Sequence, residues 1–249
     1  MRARGFIVAC ILSLTLFLFA ARRQNASGAA PEFRGTVDLT HAMSQQTFSR
    51  PVEVADKYVA GKKLSDEFVT YLEAPAHFTE GSWTVDQIPT ERLIAPLVVI
   101  DISKEALRNP DYQLSMEDVA AWEREHGDVP PGAIVMANTG WTDKWKSPAD
   151  YRNPDRSGDM HFPGFSFEAA RFLIEARSIF GLGIDTMGVD YGASHNYPVR
   201  RYTAAHGVYQ LENVANLDIV PRSGAIVIAS PQKVEGSTEA PVRITALLR

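Results

Sequence analysis

The sequence predicts a mixed α/β fold, and three observations carry that reading. Short runs rich in Val, Ile and Leu recur along the chain. Two amphipathic segments with helix-start signals lie between such runs. The runs outnumber the helices, so the regular βα alternation of a doubly wound sheet is missing. With 249 residues, the chain is long enough for one large domain, or one domain and a tail, around a substantial core.

Taken in order, Thr36–Thr40 reads as a short first strand, followed by a polar loop from His41 to Arg50. A second strand is predicted at about 66–74, then a loop from Thr79 to Arg92 that contains Gly81 and Pro89. Leu97-Val-Val-Ile-Asp-Ile102 is a mostly apolar run of the kind buried in a sheet. Ser115, with Asp118 three residues on, caps a helix that runs through Val119 and Trp122 and stops at Gly127. Pro130-Pro-Gly132 turns the chain into the strand Ala133–Asn138. Ser147–Met160 is polar and reads as a surface loop.

Ser166 caps a second helix whose apolar stripe is Ala169, Ala170, Phe172, Leu173 and Ala176. The strand Ile179–Ile184, the loop Asp185–Asp190 and the apolar run Val208–Leu217 follow. Ala225–Ala229 is a last core strand, and Arg243–Leu248 closes the chain as an edge or terminal strand.

The N-terminus has a different character. Arg2 and Arg4 form a basic region, Phe6–Ala20 is apolar apart from Ser13 and Thr15, and Ala26–Ala30 is a small-residue stretch. That pattern is a secretory signal peptide over 1–29, which leaves 30–249 as the domain and a secreted or periplasmic location. The alternative is an uncleaved N-terminal anchor, although the run is short for a span of ~20 residues. After cleavage no further segment is long enough to span a membrane. Cys10 is the only cysteine, so the mature chain has no thiol nucleophile, disulfide or cysteine metal ligand. Cleavage removes four arginines and no acid, moving the formal net charge from −5 to −9. An acidic chain without a basic run argues against nucleic acid as a partner.

The most informative stretch is Glu67–Phe78. Extended backbone puts alternate side chains on one face, so Glu67, Tyr71 and Glu73 would point the same way. Pro75 bends the chain, and His77 can return towards the same pocket. Two carboxylates, a phenol and an imidazole make an oxygen-rich cluster suited to a cation. The plain alternative is a solvated strand face with a structural His near a turn.

Several motifs in order then give the chain a resemblance. They are Asp38-Leu-Thr-His41, Ala74-Pro-Ala-His-Phe78, Pro131-Gly-Ala-Ile-Val135 with Thr139-Gly-Trp141, and Phe162-Pro-Gly164. Further on come Gly183-Ile-Asp-Thr186, Leu211-Glu-Asn-Val-Ala-Asn-Leu217 and Ala240-Pro-Val-Arg243. Together they resemble the cyclase family of metal-dependent hydrolases, which includes bacterial kynurenine formamidases and isatin hydrolases. The resemblance implies a swivelling β/β/α-type domain, a central barrel-like mixed sheet flanked by helices, and a dimer or tetramer. It also implies hydrolysis of an amide, cyclic amide or ester bond in a small, often aryl, substrate.

The chain departs from the family at its central motif. Where the family carries two His and an Asp as metal ligands, this sequence has Glu67, Tyr71 and Glu73. A further family His position is Arg200, the family's Glu is kept as Glu212, and its proton-transferring His is kept as His77.

Three readings follow. In the first, Glu67, Tyr71, Glu73 and Glu212 hold a hard divalent ion such as Mn²⁺, Mg²⁺ or Ca²⁺ in preference to Zn²⁺, and His77 is general base and acid. In the second, Arg200 replaces the metal, because a guanidinium is permanently charged and cannot ligate a cation. Its fork would bridge Glu67, Glu73 or Glu212 in a metal-free binding protein or altered enzyme. In the third, the fold is kept for structure or interaction alone.

Trp83 and Trp141 could stack an aromatic substrate or fill the core, and His41 could line the pocket mouth or lie on the surface. His195 and His206 flank Arg200 and would restore a ligand if the alignment slips by a few residues; as loop or core residues they need no such role. Asp185 and Asp190 read as support behind the site or as ordinary turn residues. No nucleophile-elbow serine or glycine-rich phosphate loop is present.

Overall fold

The structure is a computed structural model in which residues 33–43, 58–59, 62–63 and 69–249 are described. Its strands are β1 (Gly35–Asp38), β2 (Tyr58–Val59), β3 (Lys62–Lys63), β4 (Tyr71–Glu73), β5 (Ile94–Asp101) and β6 (Gln113–Leu114). They continue as β7 (Ile134–Asn138), β8 (Gly164–Phe165), β9 (Gly181–Ile184), β10 (Tyr209–Glu212), β11 (Ile226–Pro231) and β12 (Glu239–Leu248). The α-helices are α1 (Ser103–Arg108), α2 (Met116–His126), α3 (Pro148–Arg152), α4 (Phe167–Arg177) and α5 (Pro198–Ala205).

Eight strands form one mixed sheet in the order β1-β12-β11-β5-β7-β9-β10-β4, and β4 pairs back onto β12. That last pairing closes a seven-stranded barrel and leaves β1 outside it. Strands β5, β7, β9 and β10 run parallel, while β4, β11 and β12 join by antiparallel pairs.

Side-chain alternation explains why the central strands are apolar throughout. On β5 and β7, Leu97, Val99, Ile134 and Met136 fill the barrel, whereas Val98, Ile100, Val135 and Ala137 meet the helices. The barrel-facing positions of β9 are Gly181 and Gly183. A Cβ at Gly183 would lie 2.7 Å from Met136 Cγ, and one at Gly181 would lie 2.8 Å from the Tyr209 ring. Glycine there gives way to two large neighbours in a close-packed interior.

The two predicted caps are present. Ser115 and Asp118 form a capping box at α2, which ends at Gly127 with φ 84°. Ser166 Oγ accepts the Ala169 N–H at the start of α4. In α4 the buried stripe uses Ile174, while Ala176 is exposed.

Elsewhere the architecture differs from the sequence expectation. Arg243–Leu248 belongs to a ten-residue strand that is no edge, because β12 lies between β1 and β11 and its first residues also pair with β4. Ser147–Met160 contains α3, capped by Ser147, with Tyr151 fully buried beneath it. Of the strand expected at about 66–74, the structure assigns Tyr71–Glu73, and residues 64–68 lie outside the described residues. Helices α1 and α5 were not foreseen, since neither begins with a Ser, Thr or Asp cap: Ile102 and Tyr197 hold those positions. Among the described residues, no helix is long and apolar enough to cross a membrane.

Candidate active site

Leu72, Tyr209 and Leu211 fill the barrel, which leaves Tyr71 and Glu73 of β4 and Gln210 and Glu212 of β10 on the opposite face. Register pairs Tyr71 with Glu212 and Glu73 with Gln210. Helix α5 packs over β10 and over the 3₁₀ turn Pro75–His77. A polar row is therefore buried where the rest of the barrel wall carries apolar side chains. Glu212 is 0 % exposed and Glu73 is 3 % exposed. Buried charges need partners, so this row is the part of the fold that calls for a functional account.

Glu212 receives a donor on each oxygen. The Tyr71 hydroxyl donates to Oε2. Arg200 Nη2 donates to Oε1 at 2.6 Å and to the Met187 carbonyl at 3.0 Å. Burial and the Glu212 charge push the Tyr71 phenol well above its ordinary range, so it stays a neutral donor. Burial opposes the charge on Arg200, and the neighbouring carboxylates, Glu212 first and then Glu73, outweigh it, raising its pKa. Burial pushes the Glu212 carboxyl up to about 7, while Arg200 pulls it down and Glu73 adds to the rise.

The guanidinium sits in a prepared hollow. A Cβ on Gly188 would lie 2.3 Å from Arg200 Nη2, so only glycine leaves room for it. The backbone is fixed as well: Asp190 Oδ1 and Oδ2 accept the Val199 and Arg200 N–H groups at 2.9 and 3.0 Å. Asp190 thereby ties down the first turn of α5 and sets the point from which Arg200 reaches β10.

His77 ends the turn after β4, where Pro75 occupies a first-turn position without a missing donor. Its Nε2 is 3.9 Å from Glu73 Oε2, and its Nδ1 is 3.1 Å from Thr238 Oγ1. Glu239 lies directly across from Glu73 in the β4–β12 pairing. Glu73, His77 and Glu239 each place one ligand atom within 4.8 Å of the others. Two carboxylates facing each other across strands repel, so this pair needs a compensating neighbour.

Behind this row lies a second polar layer. Thr70 Oγ1 donates to the Asn213 carbonyl at 2.6 Å, and Asn213 Nδ2 donates to the Val69 carbonyl at 2.8 Å. The buried Tyr151 hydroxyl lies 2.8 Å from Asn213 Oδ1 and 2.9 Å from the Asp185 carbonyl. Asp185 in turn accepts the Thr139 N–H and hydroxyl and the Trp141 N–H at 3.0, 2.7 and 3.0 Å. The Asp185–Asp190 loop thus supports the site from both of its ends.

The structure brings together Tyr71, Glu73, His77, Arg200 and Glu212 of the sequence-derived set, and Glu67 lies outside the described residues. His41 stacks on Trp145 with ring centroids 3.9 Å apart, and its Nε2 is 3.2 Å from Thr142 Oγ1. Trp83 packs under the Arg92 guanidinium, and Trp141 is buried with its indole N–H on the Tyr151 carbonyl. His195 is exposed and 3.7 Å from Asp159, and His206 lies tilted against the Tyr202 ring at the end of α5.

Sequence reasoning overlooked Gly188, Thr238, Glu239 and the aromatic pair Phe78 and Tyr197. That pair lies near the site, with ring centroids 6.2 Å apart and Arg200 Cζ 5.5 Å from the Tyr197 ring. Tyr197-Pro198 before Arg200 was the available signal, since Pro favours the first helical position.

The divalent ion implied by the family resemblance does not fit between Tyr71, Glu212 and Arg200. Both Glu212 oxygens are taken, the phenol is protonated, and a fixed monocation stands 2.6 Å from the carboxylate. The remaining donors, Glu73, His77 and Glu239, lie on the β12 side of β4.

Comparison with known proteins agrees with this architecture. The cyclase family model matches residues 37–191. An isatin hydrolase of Roseibium aggregatum is 34% identical over 193 residues, covering 74% of this chain and 73% of that protein. A kynurenine formamidase of Polaromonas naphthalenivorans is 26% identical over 187 residues, covering 75% and 72%. The solved isatin hydrolase A from Labrenzia aggregata, bound to benzyl benzoate, superposes with a TM-score of 0.76 at 34% identity, covering 95% of this chain and 99% of that one. With its barrel, its motifs and these relatives in agreement, the chain belongs to the cyclase family.

Proposed function

We propose that this protein hydrolyses an amide, cyclic amide or ester bond in a small aryl substrate. The observation that carries the reading is His77, which sits beside Glu73 at the edge of the buried polar row of a chain similar to isatin hydrolase. The imidazole takes a proton from water as the water oxygen attacks the substrate carbonyl. Glu73 stabilises the imidazolium that forms, and Thr238 orients the ring through Nδ1. His77 then returns the proton to the leaving nitrogen or oxygen as its bond to carbon breaks, and the product is a carboxylate. Phe78 and Tyr197 form an aromatic rim against which an aryl group stacks.

The test is product formation from isatin and N-formylkynurenine by the purified mature chain. His77→Gln should lower kcat/KM by about 10²–10⁴, the range for loss of a general acid–base. No turnover of either compound, or full activity in His77→Gln, would remove this reading. A second reading is a small-molecule binding protein without turnover, favoured by the Arg200–Glu212 contact at 2.6 Å. Export is part of the proposal, supported by the basic and apolar segments of residues 1–29, and is checked by N-terminal sequencing of the protein recovered outside the cytoplasm. A dimer or tetramer, also proposed, is checked by light scattering.

A further inference from the structure

We propose that Arg200 stands in for the metal ion: its guanidinium is the site's fixed positive charge and receives an anionic oxygen of the ligand. This rests on the hydrolase reading, in which the product is a carboxylate. Three independent features make the guanidinium a built part of the site rather than a chance neighbour. Glu212 and the Met187 carbonyl hold Nη2 at 2.6 and 3.0 Å. The glycine at 188 leaves the space that any Cβ would fill. Asp190 fixes the backbone of the same residue through its own N–H.

The charge arrangement points the same way. Tyr71 is neutral, and Glu212 is matched by Arg200, so the triad carries no surplus negative charge to attract a divalent ion. A metal placed against Glu212 would meet a permanent cation and would have to displace two short hydrogen bonds. Among the described residues, Arg200 Nε is buried without an acceptor, which leaves the guanidinium with hydrogen-bonding capacity to spare. A planar guanidinium with free donor capacity suits a carboxylate or the oxyanion that precedes it.

The test uses the full mature chain in two parallel measurements. After loading with Mn²⁺, Mg²⁺ and Zn²⁺ and gel filtration, its metal content is read by elemental mass spectrometry. Benzoate, a small aryl carboxylate, is titrated calorimetrically into the same preparation. No ion that depends on Glu212 is expected, and benzoate binding should weaken about tenfold or more in an Arg200→Gln/Glu212→Gln double variant. That variant is designed to keep a hydrogen-bonded neutral pair, and circular dichroism is used to check that it folds.

A stoichiometric ion lost on Glu212→Gln would overturn the inference, as would benzoate affinity unchanged in the double variant. An ion lost on Glu239→Gln and kept on Glu212→Gln would sit on the β12 side of β4 and support the assignment of Arg200. Failure to hydrolyse both isatin and N-formylkynurenine would sink the hydrolase reading, while metal content and benzoate affinity still decide the role of Arg200.

Discussion

Arg200 Nη2 lies 2.6 Å from Glu212 Oε1, and the carboxylate in this pair is completely buried. The two groups come from α5 and β10, so the contact ties the helix to the barrel wall. Breaking a buried pair from one side leaves an uncompensated charge. Arg200→Gln should therefore destabilise the protein by about 3–5 kcal/mol, and the Arg200→Gln/Glu212→Gln double variant should recover much of that loss. Urea unfolding of the single and double variants measures the coupling. Additive losses would show that the two residues act independently.

Gly188 is the position where space decides the site. An alanine Cβ would lie 2.3 Å from Arg200 Nη2, so the guanidinium must move away from Glu212 or the Asp185–Asp190 loop must shift. We expect Gly188→Ala to lose about 1–3 kcal/mol of stability, in the range of overpacked interiors. Combined with Arg200→Gln it should lose less than the sum, because the clash partner is shortened. Thermal unfolding of the three variants reads this out.

Asp190 accepts two backbone N–H groups at the start of α5, so its removal should loosen the helix that carries Arg200. Asp190→Ala is expected to cost about 0.5–2 kcal/mol, as for other helix caps. Asp190→Asn retains one acceptor oxygen and should cost less. Hydrogen exchange at the amides of 199 and 200 would show the local effect, and unchanged protection in Asp190→Ala would contradict it.

The architecture was legible where local chemistry and tertiary packing agree. Leu97–Ile102 reads as a buried strand because β5 is covered on both faces, and Ser115 announces α2 by its own capping box. Tyr71 and Glu73 share a face because alternation is a property of extended backbone, and Glu212 could be singled out as a lone acid in an apolar run. Helix α5 was hidden because its first turn is capped from a distance by Asp190 rather than by its neighbour Tyr197. Glu239 was invisible for a related reason. Only the barrel closure, which pairs β12 with β4, places it across from Glu73. Tyr151 looked like part of a polar loop because its partners, Asp185 and Asn213, come from two other strands' ends.

His41 gives a pH-dependent prediction. Burial lowers its pKa from 6.5 to about 4, so the folded state holds it neutral, stacked on Trp145. The unfolded chain binds the proton first as pH falls. The contribution to stability is thus present above about pH 6.5 and is lost as the pH drops towards 4. Its full size is at most about 3 kcal/mol. His41→Phe keeps the stack and removes the titration, so its stability should fall less between pH 7 and pH 4 than that of the wild type. Parallel pH profiles of the two proteins by chemical denaturation would exclude the effect.

A cyclase-family hydrolase whose site carries Arg200 in place of a metal, as proposed, needs no divalent ion for turnover. The most direct measurement is the initial rate of isatin ring opening by the mature chain, before and after exhaustive chelation, with the metal content confirmed in each sample. With Arg200 as the site's cation, turnover is unchanged by chelation and falls about 10²–10⁴-fold in His77→Gln. Turnover that disappears on chelation and returns with an added divalent ion would contradict it.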